Sequence, residues 1–211
     1  MQMQEGESIE GMFPATSMPD AAWWQALWPQ PETVLADIGM KPGMHVVDLC
    51  CGDGLFTVPL AKMACRVIAI DLDAEMVKLT RAQVAGARAT NCTFIVGDAY
   101  DVPGFVTEPV DLVLIANTFH GVPDKERLAR AVAAVLKPGG RLSVINWHRR
   151  PREETVVLGQ ARGPKTEIRM EPGDVVAAIE PAGLKLARVA DLPPYHYNAI
   201  FEKPTRVSAR R

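Results

Sequence analysis

The chain has 211 residues, 48% of them hydrophobic, enough for one sizeable core and short for a second full domain. Its 23 Lys and Arg against 25 Asp and Glu leave a formal charge of −2, without the basic footprint of a general nucleic-acid binder. No apolar run of about 18 residues offers a membrane span, and the polar start from Met1 to Glu10 lacks the basic-then-apolar order of a secretory signal, so a cytoplasmic protein is expected.

Residues 1–18 show no periodicity and read as a lead without fixed structure. Asp20 caps a short apolar helix from Ala21 to Trp28, which carries Trp23, Trp24 and Trp28 and stops at Pro29. A second helix follows from Pro31 to Ile38, closed by Gly39. Strands and helices then alternate. Val46 to Leu49 is a strand and Leu55 to Met63 a helix. Val67 to Ile70 is a strand, and Asp73 caps a helix from Ala74 to Ala85. Phe94 to Val96 is the third strand, and a loop-rich crossover leads to the fourth, Leu112 to Ala116. Asp124 caps a helix from Lys125 to Leu136 whose Leu128, Val132 and Val135 form a buried stripe. Leu142 to Asn146 is the fifth strand. This order predicts a doubly wound, mostly parallel α/β sheet with helices on both faces.

The rhythm breaks over 149–172, where Arg149, Arg150, Arg152, Arg162, Lys165 and Arg169 oppose Glu153, Glu154, Glu167 and Glu171. The segment reads as an insertion on the side where the strands end. Asp174 to Ala182 is helical, and Lys185 to Leu192 and Tyr197 to Glu202 alternate like strands. The expected organisation is a single unit over 19–203, with a helical cap at 19–39 and a basic tail at 204–211.

The most informative segment is Val46-Val47-Asp48-Leu49-Cys50-Cys51-Gly52-Asp53-Gly54. A strand, a tight glycine turn and a helix start make a cradle for a nucleoside ligand. Asp48 repels a pyrophosphate and suits an amine or a sulfonium. Two further strands end in acid, at Asp71 and Asp98. Ligands of open α/β sheets bind at the carboxyl ends of the strands, so these three carboxylates are expected to face one crevice. The four cysteines, Cys50, Cys51, Cys65 and Cys92, lack zinc-ligand spacing and read as small core residues, and no metal site is expected.

The ordered set of motifs over residues 33–148 resembles the class I S-adenosylmethionine-dependent methyltransferases. The segment from Asp48 to Gly54 is similar to their glycine-rich first motif, with Cys50 in place of its first glycine. The paired cysteines resemble the variant of the quinone-biosynthesis methyltransferases in that family. The resemblance implies S-adenosylmethionine as cofactor and a Rossmann-like seven-stranded sheet whose last two strands form an antiparallel hairpin at the edge. It further implies that Cys50, Gly52 and Gly54 shape the cofactor turn, that Asp71 accepts from the ribose hydroxyls and that Leu72 packs on the adenine. Asp98 and Ala99 would read the adenine edge, Asp48 would lie near the methionine end, and Ala116 or Asn117 would hold the methionine ammonium.

Methyl transfer from a sulfonium is an in-line displacement, so the protein's task is alignment and exclusion of water. His120, just past the fourth strand, is the best-placed candidate for the general base, because its ordinary pKa suits proton removal near neutrality. His148 is a second candidate. Trp24, Trp28, Phe119, Trp147 and Tyr195 are expected to line the acceptor pocket, and a small-molecule methyl acceptor is the expected partner, with no nucleic acid expected. The oligomeric state stays open. A non-catalytic S-adenosylmethionine-binding subunit or sensor is the alternative reading. An NAD-dependent oxidoreductase is the third, disfavoured because the dinucleotide fingerprint needs a glycine where Thr57 stands.

Overall fold

The computed structural model describes residues 10–16 and 18–205. The beginning of the expected unstructured lead, 1–9, and the end of the basic tail, 206–211, lie outside the described residues.

Two short helices open the fold, α1 (Ala21–Leu27) and α2 (Pro31–Asp37). An alternating series follows: β1 (His45–Leu49), α3 (Thr57–Met63), β2 (Arg66–Asp71), α4 (Ala74–Gly86), β3 (Cys92–Val96), α5 (Val102–Phe105), β4 (Val110–Ala116), α6 (Lys125–Val135) and β5 (Leu136–Trp147). A two-residue hairpin, β6 (Val156–Val157) and β7 (Gln160–Ala161), precedes α7 (Pro172–Ile179), β8 (Lys185–Leu192) and β9 (His196–Glu202). The predicted caps form: Asp20 accepts from the Ala22 N–H at 2.9 Å, Asp73 from Glu75 at 2.8 Å and Asp124 from Arg127 at 2.9 Å, each satisfying a free amide at a helix start.

The sheet has seven strands in the order β3-β2-β1-β4-β5-β9-β8. The strands β1 to β5 are parallel, and β9 and β8 add antiparallel at one edge. Alternate residues serve opposite faces. Val47, Leu49, Val113 and Ile115 belong to one apolar cluster with Leu128 and Val132 of α6. Val46, Val67, Leu112 and Leu114 belong to another with Leu35 of α2 and Leu60 of α3. Covering both faces explains why these strands are continuous apolar runs.

The chain leaves β1 toward β2 and β3 and later returns to place β4 on the other side of β1. That reversal opens a crevice above the carboxyl ends of β1 and β4. Register puts Asp48 of β1 opposite Ala69 of β2 and Leu114 of β4, so its side chain stands at the base of the crevice.

Three segments differ from expectation. Residues 10–16 fold over the crevice: Phe13 is buried and meets the Tyr100 ring edge-on at 5.5 Å. The crossover after β3 holds a 3-10 turn at Ala99–Asp101 and α5. Residues 149–172, without period in the sequence, gather round one buried side chain. Arg169 is fully buried, and its guanidinium donates to the carbonyls of Pro164, Arg150 and Arg162 and to Thr155 Oγ1 at 2.9–3.2 Å.

Candidate active site

The crevice is a cavity of about 570 Å³, within the roughly 300–1,000 Å³ range of small-molecule sites. Its floor is the set of strand ends, and its two ends differ in chemistry.

At the β1–β3 end the three predicted carboxylates converge. Thr57 Oγ1 donates to Asp48 Oδ2 at 2.5 Å, tying the end of β1 to the start of α3. Asp71 Oδ2 accepts the Gly52 N–H at 2.8 Å and its Oδ1 accepts from Asp73 at 3.0 Å. The end of β2 therefore fixes the shape of the turn after β1. Asp98 accepts from the Tyr100 N–H at 2.9 Å and caps the 3-10 turn that carries Ala99. Leu72, Asp98 and Ala99 line the cavity beside Asp71.

Burial raises the Asp48 carboxyl to about 7, and neighbouring Asp71 and Asp53 add to the effect against the Thr57 hydrogen bond. Burial likewise raises Asp71. The Cys50 thiol is pushed well up by burial and then by Asp71, Asp48 and Asp98 together. One sulfur thus feels all three acids, which is the electrostatic sign of their convergence. It also keeps Cys50 a neutral thiol, and Cys51 is raised for the same reasons.

The turn itself is left-handed at several points. Cys50 has φ +63° and Gly52 φ +56°. A side chain at such an angle costs about 1–2 kcal/mol, so Cys50 carries a strain that the glycine of the usual motif avoids. Gly54 does not line the cavity. Its φ is +96°, and a Cβ there would lie 3.1 Å from the Thr80 backbone, so its role is close packing of the turn on α4.

At the β4–β5 end, Ala116, Asn117, His120 and Trp147 line the cavity. The Asn117 backbone N–H is spent on the Ile145 carbonyl at 2.9 Å, while both polar atoms of its side-chain amide are buried without a partner among the described residues. His120 Nδ1 lies 3.1 Å from Asn146 Oδ1 and its Nε2 3.4 Å from the Ala15 carbonyl. Burial lowers its pKa, so the ring is neutral at pH 7. His148 lies outside the wall, 3.2 Å from Asp191.

Of the expected acceptor-pocket residues, Trp24 and Trp147 are on the wall and three are not. Trp28 packs between Phe56 and His196, with ring centroids at 5.4 and 4.6 Å. Phe119 is fully buried in the core because the 3-10 turn Phe119–Gly121 sends it inward and His120 toward the cavity. Tyr195 stacks behind Trp147 at 6.1 Å and clamps Val156 through its hydroxyl.

Sequence reasoning missed Phe13 and Met18 on the wall, which Trp23 and Arg152 also line. The 10–16 segment crosses the crevice from Leu72 to Gly121. A Cβ on Gly11 would touch Leu72 at 3.5 Å, and a Cβ on Gly121 would strike the Pro14 carbonyl at 2.2 Å. The glycine at 121 was the available signal for that close approach.

Comparison with known proteins agrees with this fold. A model described as a methyltransferase domain matches residues 46–140. The ubiquinone biosynthesis O-methyltransferase of Xanthomonas axonopodis pv. citri is 27% identical over 206 residues, covering 88% of this chain and 86% of that one. The demethylmenaquinone methyltransferase of Lactiplantibacillus plantarum is 36% identical over 112 residues, covering 51% of this chain and 47% of that protein. The crystal structure of a SAM-dependent methyltransferase from Aquifex aeolicus superposes with a TM-score of 0.72 at 25% identity, covering 87% of this chain and 94% of that one. Fold, strand-end acids and these likenesses together place the chain in the class I S-adenosylmethionine-dependent methyltransferases.

Proposed function

We propose that the protein methylates a small ring-bearing acceptor held against Trp23, Trp24 and Trp147. The observation that carries this reading is the division of one cavity into an acidic end at β1–β3 and an aromatic end at β4–β5. The names of the relatives in ubiquinone and menaquinone biosynthesis support an acceptor of that kind.

The cavity suits the cofactor. Its acidic end favours a cationic nucleoside, and Asn117 offers a buried donor and acceptor with no partner among the described residues, an arrangement that is costly unless a ligand completes it. In this reading Asp71 takes the ribose hydroxyls, Asp98 and Ala99 read the adenine edge, Leu72 and Phe13 enclose the base, and Asp48 and Asn117 face the methionine part. When bound, S-adenosylmethionine supplies a methyl group already activated for displacement.

The chain's own residues then orient and dehydrate. Trp24 and Trp147 fix the acceptor ring by apolar and π contact, which limits its approach to one direction. Residues 10–16 cover the cleft and exclude water. His120, neutral and on the acceptor side, keeps its proton on Nδ1 toward Asn146 Oδ1, which leaves Nε2 as the unprotonated nitrogen that takes the acceptor proton.

Purified protein incubated with S-adenosylmethionine and a panel of catechols and hydroquinones tests this. The expected result is stoichiometric S-adenosylhomocysteine and a mono-methylated ring product. Tight cofactor binding with no turnover on any ring acceptor would contradict it.

A further inference from the structure

The wall beyond Trp147 carries a charge that the reading above leaves unused. Arg152 and Lys165 line the cavity there, on the segment between β5 and α7. Arg152 Nε donates to the Gly163 carbonyl at 3.0 Å, which aims the guanidinium, and its two terminal nitrogens have no protein partner among the described residues. Lys165 is exposed on the same wall and forms no ion pair among the described residues. Behind them stand two more cations. Arg162 lies over the Trp23 ring at 5.5 Å with a buried, unpartnered Nε, and Arg169 lies over Trp147 at 5.0 Å. Among the described residues none of these four forms an ion pair. Glu153, Glu154 and Glu167 of the same segment are exposed and off the cavity wall.

The loop that presents this charge is rigid. Gly163 packs so closely on Trp147 that a Cβ would sit 2.8 Å from the indole. Arg169 spends its donors on backbone carbonyls and Thr155, holding residues 150–164 in one arrangement. The cations are therefore built into the wall rather than scattered on a mobile surface.

The cavity is bipolar: acidic at β1–β3, cationic beyond β5, with indoles between. An anion is repelled from the first pole and drawn to the second. We propose that Arg152 and Lys165 form an anion subsite, and that the methyl acceptor is an aromatic or apolar molecule bearing a carboxylate or another oxyanion. The inference rests on the reading that the β4–β5 end holds the acceptor. A planar carboxylate suits the free fork of Arg152, and pinning it there turns the rest of the ring toward the cleft.

The test is calorimetric and needs no turnover. Protein saturated with S-adenosylhomocysteine is titrated with two matched pairs, benzoate against benzamide and 2-naphthoate against 2-naphthamide. In at least one pair the carboxylate should bind about tenfold tighter than its neutral isostere, and the preference should shrink with added salt. The Arg152→Gln/Lys165→Gln double variant should lose that preference while keeping its affinity for S-adenosylhomocysteine, which also shows that it is folded. Equal affinities in both pairs, or no binding of any probe to the loaded wild type, would overturn the subsite. So would carboxylates that bind only the unloaded protein and compete with S-adenosylhomocysteine, since the two cations would then serve the cofactor's own carboxylate. Failure of the wild type to bind S-adenosylhomocysteine would remove the cofactor site instead, a separate result read in the same instrument.

Discussion

Thr57 Oγ1 donates to Asp48 Oδ2 at 2.5 Å, and among the described residues this is the only hydrogen bond supporting a carboxyl that is 2% exposed. The bond opposes the desolvation of Asp48 without cancelling it, and the carboxyl ends at about 7 rather than near 3.8. Such a group costs the free protein stability in its ionised form.

The sign follows from proton binding. Between pH 4 and 7 the folded chain holds the Asp48 proton that the unfolded chain has lost, so stability of the cofactor-free protein falls as pH rises through that window and levels above it. At full effect the difference is about 4 kcal/mol. Asp48→Asn should therefore raise the melting temperature at pH 8 and flatten the pH dependence between 5 and 8. Thermal melts at several pH values check this. The same proton affects ligand binding: a cationic cofactor favours the ionised acid, so S-adenosylmethionine affinity should rise by up to about tenfold per pH unit below 7 in the wild type and lose that slope in Asp48→Asn.

The 10–16 segment rests on Gly121, where a Cβ would lie 2.2 Å from the Pro14 carbonyl. Gly121→Ala should displace the segment and weaken cofactor binding by about tenfold, the weight of one lost hydrogen bond or apolar contact. Global stability should change little, because the sheet is untouched. Limited proteolysis within residues 10–16, faster in the variant and slowed by S-adenosylhomocysteine, is the measurement.

Arg169 is fully buried and joins four acceptors at 2.9–3.2 Å. Arg169→Met keeps much of the apolar contact with Trp147 but deprives the Pro164 and Arg150 carbonyls of their donor, at a cost of about 3–5 kcal/mol. Denaturant unfolding checks the loss.

His120 is neutral at pH 7 and lines the aromatic end of the cavity. If it removes a proton, His120→Ala should lower kcat by about 10²–10⁴-fold with little change in cofactor affinity. The wild-type kcat should fall on the acid side of a pKa below that of an ordinary histidine. An alanine variant with full turnover removes His120 from the chemistry.

The sheet was legible in the sequence because buried parallel strands are short apolar runs. Each of β1, β2 and β3 carries an acid at or just past its end, and Asp20, Asp73 and Asp124 cap helices by purely local bonds. The acidic end of the site was legible for the same reason: strand ends fix where Asp48, Asp71 and Asp98 go. The aromatic end was not. Whether Trp23 or Trp28 meets the cavity depends on how a seven-residue helix docks, and whether Phe119 or His120 does depends on one 3-10 turn. Neither leaves a period to read. Phe13 is a lone aromatic in an aperiodic stretch, and Arg169 looks like any surface cation until four distant acceptors gather round it.

The central claim is that the acids at the ends of β1, β2 and β3 grip the adenosyl cofactor, and Asp71 tests it most directly. Its carboxylate both shapes the turn through Gly52, at 2.8 Å, and faces the cavity. Calorimetric titration of S-adenosylhomocysteine into wild type, Asp71→Asn and Asp71→Ala should give one site per chain in the wild type, with affinity reduced at least about tenfold in both variants and no binding of NAD by any of them. Undiminished binding in Asp71→Ala, or NAD binding in place of the nucleoside, would contradict the account.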